Sequence, residues 1–184
     1  KSRAIVDSLA ASEIPVYGIS TGFGALARKF IDEDKRAQLQ KSLIRSHAAS
    51  SGEIVETEVV RAMMAVRLAT LCRGLSGVQS KTAAAYAALL NENITPVVRE
   101  YGSLGCSGDL APLSACALAV MGEGEVINKD GEIVSAASAL NAAGINPVEL
   151  SSKEGLALIN GTDGMLGQLV LAINDITKLL KTLD

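Results

Sequence analysis

Tryptophan is absent, histidine occurs once, and aromatic residues of all kinds make up only 3 % of the 184 residues. The single His47 excludes a His-rich metal cluster. A core without aromatic bulk has to be built from small aliphatic side chains on closely packed helices. The three cysteines, Cys72, Cys106 and Cys116, are an odd number with no CxxC spacing, which argues against a disulfide framework or a zinc site and fits the reduced thiols of a cytoplasmic protein. Neither sign of charge dominates, because 17 Lys+Arg face 20 Asp+Glu for a net charge of −3. With no basic excess to meet phosphates, no nucleic-acid partner is expected. The most apolar window, Gly155 to Ile173, is interrupted by Asn160, Asp163 and Gln168, groups that a bilayer core would leave unsatisfied, so no membrane span is expected. Lys1, Arg3, Asp7 and Glu13 likewise leave no room for the apolar run of a secretory signal. What is there, a 48 % hydrophobic chain, is enough for one domain's core.

Helical spacing of Ala4, Ile5, Leu9 and Ala10 predicts a helix over 2–13, ended by Pro15. Val16 to Gly24 is a loop punctuated by three glycines, and such loops carry sites. Asp32 is the expected N-cap of a helix to about Ser50, on which Leu39, Leu43 and His47 follow at intervals of four and point the histidine inward. Thr57 is read as the cap of the next helix, with Val60, Met63, Met64, Leu68 and Leu71 on its buried face and Gly74 as its stop. An Ala-rich helix over 80–90 and an extended Ile94-Thr95-Pro96-Val97-Val98 come next. Pro112, with Asp109 just before the helix, marks a helix start, so residues 106–109 should sit at a helix N-terminus. Residues 125–134 read as a hairpin turned at Asp130-Gly131, and Ser151-x-x-Glu154 as a capping box. A final amphipathic helix over 162–183 reaches Asp184 without a cap, as expected of a chain that continues. Together these elements predict a mainly α chain with minor β hairpins.

Cys106-Ser107-Gly108-Asp109 admits three kinds of chemistry. A cysteine at a helix N-terminus can be a dipole-stabilised nucleophile, but the only histidine lies on another helix. Glycines and helix amides can cradle a phosphate, but neither a Walker lysine nor G-x-G-x-x-G order is present. In the third reading the unhindered nitrogen of Gly108 attacks the carbonyl carbon of Cys106, and Ser107 loses its hydroxyl as water. The product is a five-membered ring with an exocyclic methylene. Such a ring is an electrophile made from backbone, activated by helix N-termini.

Tyr17-Gly18-Ile19-Ser20-Thr21-Gly22-Phe23-Gly24, Ser46-His47-Ala48-Ala49, Gly102 to Leu113 and Leu158-Ile159-Asn160-Gly161-Thr162 together resemble the successive signatures of the histidine/phenylalanine ammonia-lyases. The resemblance covers essentially the whole chain in order. It implies the aspartase/fumarase-like lyase fold, with residues 1–184 as a single N-terminal domain ending before a central helical bundle. It also implies the prosthetic group 4-methylidene-imidazol-5-one (MIO), formed from Cys106, Ser107 and Gly108 with no external cofactor or metal. The implied reaction is elimination of ammonia from an amino acid, L-histidine to trans-urocanate in the first instance. Phenylalanine- or tyrosine-specific lyases and aminomutases of the same family are the alternative.

By the same resemblance Tyr17 is the base that takes the β-proton, a role that requires the site to lower a phenol pKa of about 10. His47 becomes the ring-side specificity residue, and Asn160 the amide that bonds MIO or substrate. Asp109 assists cyclisation or orients the loop, while Gly102 and Gly105 allow the turn. The resemblance further implies a homotetramer in which the Tyr17 loop serves the MIO of another chain. Two departures stand out: Cys106 occupies a place that is usually Ala, and family chains run more than twice as far. Blander roles stand beside these. His47 could be a core histidine, Tyr17 could pack on its own loop, and Asn160 could be a turn residue. Cys72 and Cys116 are expected to be buried thiols, and the chain by itself could be an inactive structural piece that associates through apolar helix faces.

Overall fold

The computed structural model describes residues 1–183. Eight helices carry the fold: α1 (Ser2–Ala10), α2 (Glu33–His47), α3 (Thr57–Cys72), α4 (Ser80–Asn91), α5 (Leu110–Val120), α6 (Ala136–Ala142), α7 (Glu154–Ile159) and α8 (Asp163–Leu183). Two small antiparallel sheets are set between them. One pairs β1 (Ser51–Ile54) with β3 (Arg99–Tyr101). The other runs β2 (Thr95–Pro96), β4 (Glu125–Ile127), β5 (Ile133–Ser135), with Val126 opposite Val134. The uncapped end expected at Asp184 lies outside the described residues.

Small residues decide what sits at the centre. Helix α5 reads Leu-Ala-Pro-Leu-Ser-Ala-Cys-Ala-Leu-Ala-Val, and eight of its eleven residues are buried. With so little side-chain bulk it is packed on several sides, by α2, α4, α6 and α7 among others. Ile44, Met64, Tyr86, Leu89, Leu140, Leu158 and Ile159 close the core around it. Consequently the residues that precede α5 are attached to a buried helix packed on several sides.

Helix α8 is different. It lies along α3, and only Asp163 and Gly167 on it are buried. Leu169, Val170, Ile173, Ile176 and Leu180 form a stripe that is exposed in this chain. The segment Glu154–Leu183 is long and apolar enough to cross a bilayer by length and composition alone. Within α8, however, the stripe backs onto Gln168, Asn174, Asp175 and Lys178, the pattern of a helix with one apolar side.

Several helix ends depart from the sequence reading, each for a local reason. Helix α1 stops at Ala10, and the Ser12 hydroxyl bonds the Leu9 carbonyl at 2.8 Å. Asp32 is the N-cap residue of α2, but its carboxylate binds Lys35 Nζ at 2.7 Å rather than a helix amide. Thr57 is the first helical residue of α3, with Glu56 at the cap. Cys72 is exposed; only Cys116 among the cysteines is buried.

Of the capping box expected at Ser151, the bond from the Ser151 N–H to Glu154 is present while the serine hydroxyl caps no helix amide, and the acid is the centre of a larger hub. Glu154 begins α7 and is fully buried, and its carboxylate accepts from Ser151 N–H, the Ser151 hydroxyl, Gln79 N–H, Gln79 Nε2 and the Thr82 hydroxyl at 2.6–3.1 Å. Gln79 is the N-cap residue of α4, so one acid ties the starts of two helices together. Glu154→Ala should cost about 3 kcal/mol, because it leaves buried donors without a partner. Removing the exposed bidentate pair of Arg45 and Glu123 through Glu123→Ala should cost under about 1 kcal/mol. Urea unfolding midpoints of the two variants measure the contrast.

Candidate active site

The segment before α5 curls back on itself. The Gly108 N–H donates to the Gly105 carbonyl at 2.8 Å, and the Leu104 N–H donates to the Gly108 carbonyl at 3.0 Å. This is a tight turn with Cys106 and Ser107 at its tip, both exposed. Cys106 has φ of 52°, a left-handed conformation that costs a residue with a side chain about 1–2 kcal/mol. A Cβ on Gly108 would lie 2.6 Å from the Gly105 oxygen and 2.9 Å from the Leu104 Cβ, so the curl admits only glycine there. An unhindered amide nitrogen, a bent backbone and a serine between them are what closure of a backbone ring requires. The residues present fit the MIO group.

The turn is anchored by Asp109. Its side chain is fully buried and points away from α5, toward the start of α8. One oxygen accepts the Ser103 hydroxyl and the other accepts the Met165 N–H at 3.1 Å. The Ser103 oxygen in turn accepts the Gly105 N–H at 3.2 Å. A carboxylate against the first turn of α8 meets the positive end of that helix. Of the two roles expected for Asp109, orienting the loop is the one this geometry displays.

A cleft of about 330 Å³ is walled by Tyr17, Phe23, Leu43, His47, Leu110 and Asn160, among others, and Cys106, Ser107 and Gly108 are not among its lining residues. Tyr17 is half exposed and meets the Phe23 ring edge-on, with 6.1 Å between centroids. His47 continues the stripe of Leu43, but it falls on the last turn of α2, where that stripe runs out of the core into the cleft. Its Nδ1 sits 2.8 Å from the Leu43 carbonyl and 3.1 Å from the Ser46 hydroxyl. The carbonyl can only accept, so Nδ1 carries the proton and Nε2 is the acceptor left for a ligand. Asn160 caps the C-terminus of α7, exposed, with its own N–H on the Leu156 carbonyl at 3.0 Å. Within one chain, Tyr17, His47 and Asn160 already line a common wall.

Sequence reasoning missed Arg67. It lies on the buried face of α3, 3 % exposed, and pairs with Asp163 at the start of α8. A charge at i+3 and i+4 from Met64 and Met63, inside an apolar stripe, was the available signal. It also missed Ser103, whose hydroxyl links Gly105 to Asp109.

An aromatic amino acid lyase family model matches residues 1–184. The chain belongs to the aromatic amino acid lyases. This family has the aspartase/fumarase-like fold. A histidine ammonia-lyase of Streptomyces avermitilis is 59 % identical over 183 residues, which is 100 % of this chain and 36 % of that protein. An MIO-dependent tyrosine 2,3-aminomutase of Streptomyces globisporus is 48 % identical over 167 residues, 91 % of this chain and 31 % of that one. A solved structure of the phenylalanine aminomutase of Pantoea agglomerans superposes with a TM-score of 0.93 at 39 % identity, over 98 % of this chain and 34 % of its own. The lyase chain thus spans about a third of the length of the relatives it matches.

Within this chain the three thiols are not equivalent. Burial pushes the Cys116 thiol up to about 12, while Cys106 and Cys72 are exposed. Iodoacetamide at pH 8 should label Cys106 and spare Cys116 until denaturant is added, as read by peptide mass mapping. Early labelling of Cys116 would contradict the packing of α5.

Proposed function

We propose that the protein to which this chain belongs is a histidine ammonia-lyase that eliminates ammonia from L-histidine to give trans-urocanate. The observation that carries the reading is the curl at 105–108, with Gly108 N–H folded onto Gly105 and Cys106 held in the left-handed region. In MIO formation the Gly108 nitrogen bonds to the Cys106 carbonyl carbon, whose oxygen leaves as water. Ser107 gives up its hydroxyl and α-hydrogen as a second water. Ring closure uses only the backbone of Cys106, so a thiol where Ala is usual is tolerated. The group supplies an electrophilic methylidene carbon that makes the amino acid's ammonia a better leaving group.

The chain's own residues do the rest. Tyr17 stands at the cleft wall as the base for the β-proton. His47 offers Nε2 as an acceptor to a ring N–H, which favours an imidazole substrate over an apolar ring. Asn160 presents an amide that can donate to MIO or to the substrate. The wall of Leu43, Leu110, Leu156 and Ile159 keeps water from the ring side of the substrate. The parts of the protein beyond this chain would bind the substrate carboxylate. The apolar stripe of α8 supports burial against further helices in a cytoplasmic homotetramer.

The full-length protein is expected to show a deficit of two water molecules in the peptide holding Cys106 to Gly108, and Gly108→Ala is expected to abolish it. Incubation with L-histidine should give the absorbance of urocanate. Cinnamate or coumarate formation from phenylalanine or tyrosine, with inertness to histidine, would assign the protein to the alternative substrates. The isolated chain should lack turnover.

A further inference from the structure

Asn160 is exposed on the cleft and stands between two short helical ends, yet its neighbourhood is held from inside the protein. Arg67 reaches it from α3. Its Nη1 donates to the Ala157 carbonyl at 3.2 Å, three residues before Asn160. Its Nη2 pairs with the Asp163 carboxylate, three residues after Asn160. Between these two grips, Gly161 has no side chain, and a Cβ there would fall 1.7 Å from Arg67 Nη2. The guanidinium occupies the space a side chain at 161 would need. Arg67 and Asp163 are both nine-tenths or more buried, at 3 % exposure each.

From this bracket we infer that Arg67 is a positioning residue for Asn160: a single planar guanidinium fixes the α7–α8 corner on both sides and so sets the angle at which the Asn160 amide faces the cleft. The inference rests on the reading of Asn160 as a substrate- or MIO-facing amide. A guanidinium suits the task because its fork holds a carbonyl and a carboxylate in one rigid plane. A lysine could keep the charge but grip only one side firmly. The same corner delivers the Met165 N–H to Asp109, so Arg67 also bears indirectly on the curled turn. Catalysis is sensitive to such angles, because a misplacement of about 1 Å can cost on the order of a hundredfold in rate.

The test is a double-mutant cycle in the full-length enzyme, with every rate normalised to sites that show the two-water mass deficit. Arg67→Lys is expected to lower kcat about tenfold with KM changed less than about twofold, the signature of a misaligned group rather than lost binding. In an Asn160→Ala background the same substitution is expected to change kcat by less than about twofold, because its effect runs through the missing amide. Equal losses in both backgrounds would overturn the inference. Should Arg67→Lys fail to fold, Gly161→Ala applies the same displacement with both charges kept, and it must show the same dependence on Asn160; unchanged kcat in Gly161→Ala would also overturn it. Full activity of Asn160→Ala alone would instead remove the reading of Asn160, and the inference with it. A purely structural Arg67 would lower the unfolding midpoint while leaving normalised kcat intact, which again counts against the proposal.

Discussion

Asp109 and Arg67 both bind the first turn of α8, at Met165 and Asp163, and the candidate site depends on that meeting. Asp109 brings the curled turn with it, through Ser103 and Gly105 on one oxygen and Met165 N–H on the other. Arg67 brings the end of α7, and therefore Asn160. A carboxylate at a helix N-terminus is stabilised by the dipole there, and Asp163 neutralises Arg67 in the dry interior. Pull either charge away and a buried partner is left uncompensated, a far larger cost than any surface pair on this chain could impose.

Much of this was written in the local pattern. The helices α3, α4, α5 and α8 follow from apolar spacing and Ala content, and the β4–β5 hairpin from Asp130-Gly131 between short apolar strands. The glycine-dense block before α5 pointed to a site because Gly108 places an unencumbered nitrogen two residues after Cys106, with a serine between them. Helix ends were less legible. Whether Asp32 or Ser151 caps a helix depends on what else is within reach. Lys35 took the first, and Glu154 took the second in reverse, with the serine donating to the acid. The β1–β3 pair escaped notice because Ser51-Gly52-Glu53-Ile54 is exposed along its whole length and carries no alternation.

The site residues separate in the same way. His47 followed from a four-residue interval, but its place at the cleft and not in the core is set by where α2 ends against α7. Arg67 and Ser103 act through partners 96 and 6 residues away, and the longer link has no local signature beyond a charge in an apolar stripe. Tyr17 was visible as a loop residue, while its company with His47 and Asn160 is a fact of tertiary packing alone.

The span between Asp109 and Met165 is 56 residues, and that number sets an order of events. The bend cannot be fastened to Met165 before the first turn of α8 has formed and met Asp109. Until then the bend has only its own local hydrogen bonds, from Gly108 to Gly105 and from Ser103 to Asp109. The final shape of the bend is thereby a product of tertiary assembly and not of its own residues alone.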